Sequence, residues 1–450
     1  MRRFASPERI FRRLFPEGIV KGRFLPALSW QIAERASGLL VGLAVTSIIA
    51  RHYGPDGARV FGYAAAVFNV VGALSIVCGA AAILPRLSRR SVVASRIFGN
   101  VFIVRQVGAV IVVAASIGWL SIVVHERELL YACAVMVLAI AFLEPANLVQ
   151  VLMQAAHKNA AISVARMVSL VVRLAVVVAM ALALVPVWLI GAGWVIESVI
   201  FFCLAWALVA KTIDLRGARA SLSKARVSIY ASYGLAFLPA IVGQHVFVRV
   251  DRLVLINAVS ADEFGIYAAA MQFIEAWFSV ASLLSNAAGP AFLFAYLRRA
   301  KNTRDVLYVS ATFACLALAA AALSVWLAEP FVQSLLGPRF SGSADYLIGG
   351  MTVAVLYFAD QALVVWLGVL GKVFTLAGKY AISAIVAWGC VSSLASVLGA
   401  WSGLVGLGLG LVAGWIWVAL TLKLSGKDAP PNGHDRVNVV GSDADSNSFR

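Results

Sequence analysis

Charged residues are scarce in this chain. They make up only 13% of its 450 residues, whereas 62% are hydrophobic. A typical soluble domain contains roughly 25% charged residues. A soluble protein of this composition could not cover its surface with polar groups, and a disordered chain would be much more polar. The composition therefore excludes both classes and predicts a helical membrane protein with many spans.

The chain also lacks the usual motifs of catalysis and metal binding. It contains no G-x-x-x-x-G-K-[ST] loop for nucleotide phosphates and no H-E-x-x-H pattern for zinc. Its five cysteines are isolated within apolar runs, a pattern that favours buried thiols over disulfide bonds or cysteine metal sites. No segment between the apolar runs is long enough for a soluble catalytic domain. We therefore expect a protein that is not an enzyme and uses no metal or cofactor.

Acidic residues are outnumbered, because 37 Lys and Arg residues stand against 21 Asp and Glu residues and give a net charge of +16. Twelve apolar runs divide the chain, each near the roughly 20 residues that a spanning helix needs. The segments between the runs are alternately rich and poor in basic residues, so the positive-inside rule predicts that both termini are cytoplasmic. The runs lie near residues 28–50, 60–84, 99–124, 129–153, 160–184, 187–210, 229–257, 264–296, 306–328, 346–370, 380–399 and 402–422.

The excess of positive charge is thus explained as an orientation signal and a contact with the cytoplasmic leaflet, and no nucleic-acid partner is needed. Residues 1–24 carry seven basic side chains interleaved with apolar ones. Either a short amphipathic helix on that leaflet or a frayed basic tail fits this pattern. Residues 425–450 are polar and contain two adjacent prolines, which predicts a disordered cytoplasmic tail.

A short sequence occurs twice. Phe61-Gly62-Tyr63-Ala64-Ala65-Ala66 opens the second run, and Phe264-Gly265-Ile266-Tyr267-Ala268-Ala269-Ala270 opens the eighth. The same position in each set of six runs indicates a duplication, with two bundles in the same orientation around a central cavity. We predict a first six-helix bundle with its linker at residues 25–222 and a second at 223–424. In the last run, Gly406, Gly410 and Gly414 are spaced for close helix packing.

Three short stretches resemble one transporter family. They are Ala50-Arg51-His52-Tyr53-Gly54-Pro55 before Phe61-Gly62-Tyr63, Asp251-Arg252 before Phe264-Gly265-Ile266-Tyr267, and Leu336-Gly337-Pro338-Arg339-Phe340. The chain resembles the bacterial polysaccharide transporters, or oligosaccharide-lipid flippases of the Wzx type. That family is a branch of the superfamily that also contains the MATE drug exporters and the lipid II flippases. The resemblance covers roughly residues 25–425.

The resemblance implies an all-α, MATE-like fold with twelve transmembrane helices. It also implies that the protein moves an undecaprenyl-pyrophosphate-linked oligosaccharide between the leaflets of the bacterial cytoplasmic (inner) membrane. Such translocation serves the biosynthesis of surface polysaccharide, namely exopolysaccharide, O-antigen or capsule. The expected partners are the lipid-linked oligosaccharide, membrane lipids and other membrane proteins of polysaccharide assembly, and the expected state is a monomer.

Ionisable residues inside the runs are candidates for function, because a charged side chain at bilayer depth costs roughly 3 kcal/mol or more. Arg166 and Arg173 are seven residues apart and share one helix face, as do His245, Arg249 and Arg252. The six arginines are Arg35, Arg105, Arg166, Arg173, Arg249 and Arg252. The six acids are Glu34, Glu144, Glu197, Asp251, Glu275 and Asp360. A polar stripe in the eighth run consists of Gln272, Glu275, Ser279, Ser282 and Asn286.

The functional interpretation of these residues is a cationic cavity, since arginine forms bidentate bonds with phosphate and polar residues suit sugars. The predicted contacts to pyrophosphate and sugar are Arg105, Arg166, Arg173, His245, Arg249 and Gln272. The residues predicted to balance charge or carry a coupling ion are Glu144, Asp251, Glu275 and Asp360. The structural alternative is pairing within the fold, with Glu34, Arg35 and Arg252 snorkelling from helix ends.

Two other functions remain open. A cation-coupled MATE-type exporter of small molecules would need net acid in its cavity, which the arginines of the fifth and seventh runs disfavour. An integral membrane polysaccharide polymerase or transferase usually has a large outer loop bearing acids or arginines. The longest outer segment here, at 329–345, carries only Glu329, Arg339 and Asp345.

Overall fold

The computed structural model describes residues 25–77, 91–156, 158–297 and 303–424. Within these ranges the chain is helical and contains no strand. The α-helices in chain order are α1 (Leu25–Ser75), α2 (Ser91–Val123), α3 (Arg127–Leu138), α4 (Ile140–Ala155), α5 (Asn159–Leu182), α6 (Ala192–Ala210), α7 (Leu215–Ala220), α8 (Lys224–Phe247), α9 (Val250–Leu255), α10 (Ala261–Leu297), α11 (Thr303–Leu335), α12 (Ser343–Val369), α13 (Val373–Leu398) and α14 (Trp401–Leu424). Short 3-10 turns at Val187–Gly191 and Pro338–Phe340 precede α6 and α12. The predicted segments 1–24 and 425–450 lie outside the described residues.

Eleven helical segments of the described chain are long and apolar enough to cross a membrane. The first of them, α1, consists of two helices joined at a kink, where Gly54 has a φ of 66°. Each limb has the length of about 20 residues that a crossing needs, so α1 supplies both the first and the second predicted spans. The predicted all-helical, multi-pass membrane architecture is confirmed. The expected first outer loop is wrong, because the turn is completed at Gly54 and Pro55 then starts the second limb.

Three predicted spans have different boundaries in the structure. The seventh is broken, since α8 ends at Phe247 and α9 begins at Val250. The eleventh begins at Val373 instead of residue 380, and this brings Lys379 into a spanning helix. The fourth is interrupted at Ala139, six residues before Pro145. Between the fifth and sixth spans, Pro186 separates α5 from the 3-10 turn.

The helices pack as two halves. In the amino-terminal half, α1 packs on α3 and α5, and α6 packs on α4 and α5. In the carboxy-terminal half, α12 packs on α10, α11 and α14, and α13 packs on α8 and α14. The three glycines of the last span face α13, where a Cβ at Gly410 would lie 2.7 Å from the carbonyl oxygen of Ser383. The predicted close packing of this helix is therefore confirmed.

The two halves meet mainly where α1 packs on α10, with α8 also contacting α1 and α2. The two copies of the repeated sequence lie at this interface. A Cβ on Gly62 would lie 2.6 Å from the Cβ of Ala268, and a Cβ on Gly265 would lie 2.0 Å from the carbonyl oxygen of Pro55. The glycine of each copy thus allows a close approach of helices from different halves.

An arginine at the same end of the bundle joins the halves as well. Arg51 donates from Nε to the carbonyl oxygen of Leu335 at 2.9 Å and from Nη2 to that of Ser334. These carbonyls end α11, where a cation is favoured by the helix dipole. Ser47 also donates to the carbonyl of Leu335. The halves are therefore closed together at the end of the bundle that contains the Gly54 kink.

We predict that Gly265→Ala destabilises the protein by about 2 kcal/mol or more, because the new methyl group overlaps backbone that cannot move aside easily. The midpoint of thermal unfolding of purified protein in detergent measures this. Gly389→Ala is the matched control, because a Cβ at Gly389 meets nothing within 4 Å. We expect that control to be neutral or slightly stabilising, since alanine favours helix. Equal unfolding midpoints for the two variants would contradict the interface.

Candidate functional site

Glu197 joins the two arginines that the sequence places on one face of α5. Its Oε1 lies 3.0 Å from Nη2 of Arg166, and its Oε2 lies 2.7 Å from Nη1 of Arg173. The opposite face of α5 exposes apolar side chains, namely Val164, Val168 and Val171. Both arginines therefore point into the bundle, where two cations share one carboxylate. No local sequence pattern assigns these partners to Glu197, because they lie on a different helix.

Aromatic rings cover the same two arginines. The guanidinium carbon of Arg166 lies 4.7 Å from the ring centroid of Phe201, and that of Arg173 lies 4.6 Å from the ring centroid of Trp194. Such cation–π contacts favour the charged form at a site with little water. Arg166, Arg173 and Glu197 together carry a net charge of +1.

Arg105 pairs with Glu144 in the amino-terminal half, at 3.5 Å between Nη1 and Oε2. Asn147 donates a further hydrogen bond to Glu144 at 3.0 Å. Pro145 lacks the amide proton that would bind the carbonyl of Ala141 four residues earlier. The side-chain amide of Gln106 donates to that carbonyl at 3.4 Å. The carbonyl freed by Pro145 is thus satisfied by a side chain.

The break between α8 and α9 brings a second charged group together. Arg249 stands at the break, with φ −125° and ψ 1°, and its Nη2 lies 3.3 Å from Oε1 of Glu275. The same oxygen accepts a hydrogen bond from Nη2 of Arg252 at 2.5 Å. Asp251 accepts one from the hydroxyl of Tyr267, also at 2.5 Å. Asp251 and Arg252 have no exposed surface, so the snorkelling interpretation of Arg252 is wrong.

A cavity of about 240 Å³ opens beside this group. Arg249 and Glu275 contribute its charged wall, and five further lining residues carry an amide, imidazole or hydroxyl group. The aromatic ring of Phe278 also lines it and stacks on Tyr357 with ring centroids 4.1 Å apart. The lining residues are Gln244, His245, Val248, Arg249, Glu275, Phe278, Ser279, Ser282 and Tyr357.

Several buried donors around the cavity have no hydrogen-bond partner within the described chain. They include Nδ1 of His245, Nε of Arg249 and Nε2 of Gln272. Nη1 of Arg166, in the amino-terminal half, likewise has no hydrogen-bond partner within the described chain. Buried polar groups are normally satisfied, so these atoms can each bind an additional acceptor.

Lys379 is not among the predicted site residues, because the predicted eleventh span begins one residue after it. Its Nζ donates to Oδ2 of Asp360 at 2.6 Å, and Nε1 of Trp415 donates to Oδ1 at 2.7 Å. Lys379 is fully buried, and Gly414 of α14 leaves room for its side chain. Asp360, which the sequence offers as a cation site, is thus occupied by a lysine and an indole.

Among the residues that the structure describes, Glu34 is the buried acid that has no cation beside it. It accepts hydrogen bonds from Gln150 at 2.7 Å and from Ser163 at 2.8 Å. Its exposed fraction is 8%, so the snorkelling interpretation fails for Glu34 too. Arg35, the next residue, is exposed on the other side of α1. The sequence pattern alone could not show that Glu34 is buried while Arg35 is exposed.

The predicted site residues thus fall into separate groups. Arg166 and Arg173 come together as expected, and so do His245, Arg249 and Glu275 around the cavity. Arg105 and Glu144 form their own pair, while Asp360 pairs with Lys379. Gln272 is half-buried, and the cavity lining, as far as the structure describes it, does not include it. The side chain of Asn286 lies outside the described residues.

The sequence of the chain matches one known family over residues 48–345, about two thirds of its length. That family is described as polysaccharide biosynthesis protein. No curated protein sequence matches the chain.

Solved membrane transporters have the same fold. The structure superposes on an inward-facing multidrug resistance MATE family transporter of the MOP superfamily with a TM-score of 0.67 and 13% identity, covering 88% of this chain and 96% of that one. It superposes on the lipid II flippase MurJ in an inward closed conformation with a TM-score of 0.66 and 10% identity, covering 88% and 87%. It superposes on a eukaryotic MATE transporter, AtDTX14, with a TM-score of 0.55 and 14% identity, covering 89% of this chain and 95% of that one. These low identities establish the fold alone.

We predict that Lys379→Met strongly destabilises the protein, because it leaves the buried carboxylate of Asp360 without its cation. Breaking a buried ion pair by removing one partner typically costs about 3–5 kcal/mol. Adding Asp360→Asn should restore part of the loss, and a thermal double-mutant cycle measures the coupling. Lys423→Met, at an exposed position of α14, is the control. The pairing is refuted if Lys379→Met and Lys423→Met unfold at the same temperature.

Proposed function

The chain belongs to the family of polysaccharide biosynthesis proteins, and on that premise we propose that it flips lipid-linked oligosaccharides across the bacterial cytoplasmic membrane. The proposed substrate is an undecaprenyl-pyrophosphate-linked repeat unit, moved from the inner to the outer leaflet for assembly of exopolysaccharide, O-antigen or capsule. The protein would work as a multi-pass monomer of the inner membrane and pass its product to other membrane proteins of the assembly.

The cavity beside the α8–α9 break is the observation that carries this proposal. The head of such a substrate has two chemical parts, a pyrophosphate and a set of sugar hydroxyls. Arg249 offers a planar, permanently charged fork for phosphate. Ser279, Ser282, Gln244 and Tyr357 offer groups that can both donate and accept hydrogen bonds. The lipid tails of the substrate would stay in the bilayer outside the bundle, because only the polar head needs shelter from hydrocarbon.

The contacts of Glu275 suggest how the cavity exchanges an internal anion for the substrate. Glu275 holds Arg252 at 2.5 Å but Arg249 at 3.3 Å. A phosphate oxygen that binds Arg249 would take the weaker of these contacts and leave the stronger one intact. Glu275 would then still neutralise the fully buried Arg252. On this proposal Glu275 balances charge in the empty site, as do Asp251, Glu144 and Asp360 in their own pairs.

Arg166 and Arg173 form a second proposed contact for the pyrophosphate. Because they share Glu197, one positive charge in the amino-terminal half is not compensated within the group. The side chain of Arg166 is 21% exposed, whereas that of Arg173 is 9% exposed. Arg166 is therefore the member of the pair that an incoming phosphate could reach first.

A MATE-type exporter of cations is less well supported by the same geometry. An organic cation in the cavity would need a carboxylate there that is free to bind it, and Glu275, the acid of the lining, already holds two arginines. A polymerase or transferase would need a reactive group in the cavity, and the lining residues within the described chain form no nucleophile–base pair.

We predict that Arg249→Lys impairs flipping at least about tenfold while the protein remains folded. Lysine keeps the charge that faces Glu275 but loses the bidentate fork, which is worth more than about 1.4 kcal/mol. The measurement is the amount of lipid-linked oligosaccharide held on the cytoplasmic leaflet in a deletion strain complemented at equal expression. Arg35→Lys, at an exposed position, should behave like the wild type. If the deletion strain itself had normal lipid-linked oligosaccharide pools and raised drug sensitivity, the result would instead support an exporter.

Filling the cavity should have a similar effect without touching any ion pair. We predict that Ser279→Phe abolishes most of the flipping, because the new ring occupies a cavity of only about 240 Å³. Ser279 donates only to the carbonyl of Glu275 in its own helix, at 3.0 Å. Ser393→Phe is the matched control, since Ser393 is exposed and likewise bonds within its helix. Wild-type flipping by the Ser279 variant would show that the substrate does not pass through this cavity.

A further inference from the structure

A larger cavity lies at the end of the bundle opposite the Gly54 kink. It occupies about 690 Å³ between the start of α2, the linker helix α7 and the start of α8. We refer to it as the linker cleft. Its polar lining includes Ser95, Arg96, Thr212, Asp214, Ser223 and Arg226. None of these residues lines the cavity beside the α8–α9 break, so the cleft is a separate site.

A buried asparagine holds the walls of the linker cleft in place. Asn100 has no exposed surface. Its Nδ2 donates to the carbonyls of Arg96 at 2.8 Å and Ser221 at 3.2 Å, and its Oδ1 accepts from the amide of Ser223 at 3.1 Å. A single buried side chain therefore fixes the turn before α8 on the backbone that carries Arg96.

Close backbone packing adds to this attachment. A Cβ on Gly99 would lie 2.7 Å from the carbonyl oxygen of Ala218 in α7. The hydroxyl of Ser221 lies 2.8 Å from the carbonyl of Ala218 and 3.5 Å from that of Arg96. The linker is consequently docked on α2, which brings Arg96 of α2 and Arg226 of α8 into the lining of one cleft.

The charge of the linker cleft favours an anion. Arg96 and Arg226 are both exposed, and neither forms an ion pair among the described residues; Arg226 only reaches the carbonyl of Ser221 at 3.5 Å. Asp214 is the acid on the rim. Its Oδ2 lies against Gly217, 2.4 Å from where a Cβ would stand, so the carboxylate is turned towards α7, the helix that follows it.

We propose that the linker cleft binds a phosphate group, held by Arg96 and Arg226. Two arginine forks match the multiple acceptor oxygens of phosphate. The basic segments at this end are those that the positive-inside rule predicts to face the anionic cytoplasmic leaflet. The phosphate can belong to a lipid head group of that leaflet or to a soluble phosphate compound. The proposal does not depend on the flippase function.

The experiment titrates phosphatidylglycerol into the purified full-length protein in detergent and counts bound lipids by native mass spectrometry. We expect Arg96→Gln with Arg226→Gln to weaken the tightest lipid site about tenfold. The control is Arg219→Gln with Lys224→Gln, which removes the same charge from exposed positions on the same linker outside the cleft lining. We expect less than a twofold change for the control. Arg96→Lys with Arg226→Lys should give an intermediate affinity, because charge remains and the forks are lost.

Equal losses in the cleft variant and the control would overturn the proposal, since they would reflect general attraction to an anionic surface. Unchanged binding in the cleft variant would also overturn it. A second arm adds inorganic pyrophosphate and measures displacement of the lipid. Displacement from the wild type alone supports a phosphate site that soluble compounds share, whereas no displacement supports a site for the lipid head group. Since all four substituted side chains are exposed, unchanged thermal unfolding serves to check that the variants are folded.

Discussion

A charge that is removed from water needs an opposite charge or strong hydrogen bonds beside it, and this requirement organises the interior of the protein. In the described chain each buried or half-buried cation of the spans contacts an acid. The cations are Arg105, Arg166, Arg173, Arg249, Arg252 and Lys379, and their partners are Glu144, Glu197, Asp251, Glu275 and Asp360. Glu34 alone relies on an amide and a hydroxyl. These contacts link α2 to α4, α5 to α6, the α8–α9 break to α10, and α12 to α13, so the charges also help to fix which helices are neighbours.

The sequence was sufficient to predict the helices but not the partners of their charges. Apolar runs of spanning length depend on local composition, which is why the multi-pass helical fold and the shared face of Arg166 and Arg173 could be predicted. The pairing of Glu197 with both arginines depends on how α6 packs against α5, and no local pattern encodes it. Lys379 was missed for another reason. A lysine at the edge of an apolar run predicts the end of a span, although a buried aspartate on a neighbouring helix can hold the lysine within the spanning helix.

The two copies of the repeated sequence serve a similar packing role, whereas the charges of the two halves differ. Both copies of the repeated sequence use a glycine for the contact between the halves, and α5–α6 occupies the place in the first half that α13–α14 occupies in the second. In α5–α6 one acid serves two arginines. In α13–α14 a single lysine finds its acid on α12, and the glycines of α14 leave room for it. The two halves therefore present different charges to the interior.

The overall balance of these charges does not decide whether the protein carries anions or cations, but the way in which the pairs can open does. An anion that binds Arg249 leaves Glu275 with Arg252, and an anion that binds Arg166 leaves Glu197 with Arg173. In each case the acid keeps its shorter contact, at 2.5 Å and 2.7 Å. A cation that binds Glu275 or Glu197 would instead strip two arginines of their shared partner in a medium where an unpaired charge costs several kcal/mol. Opening one contact for an anion is cheaper than opening two for a cation, and this difference supports the proposal that the site takes negatively charged ligands.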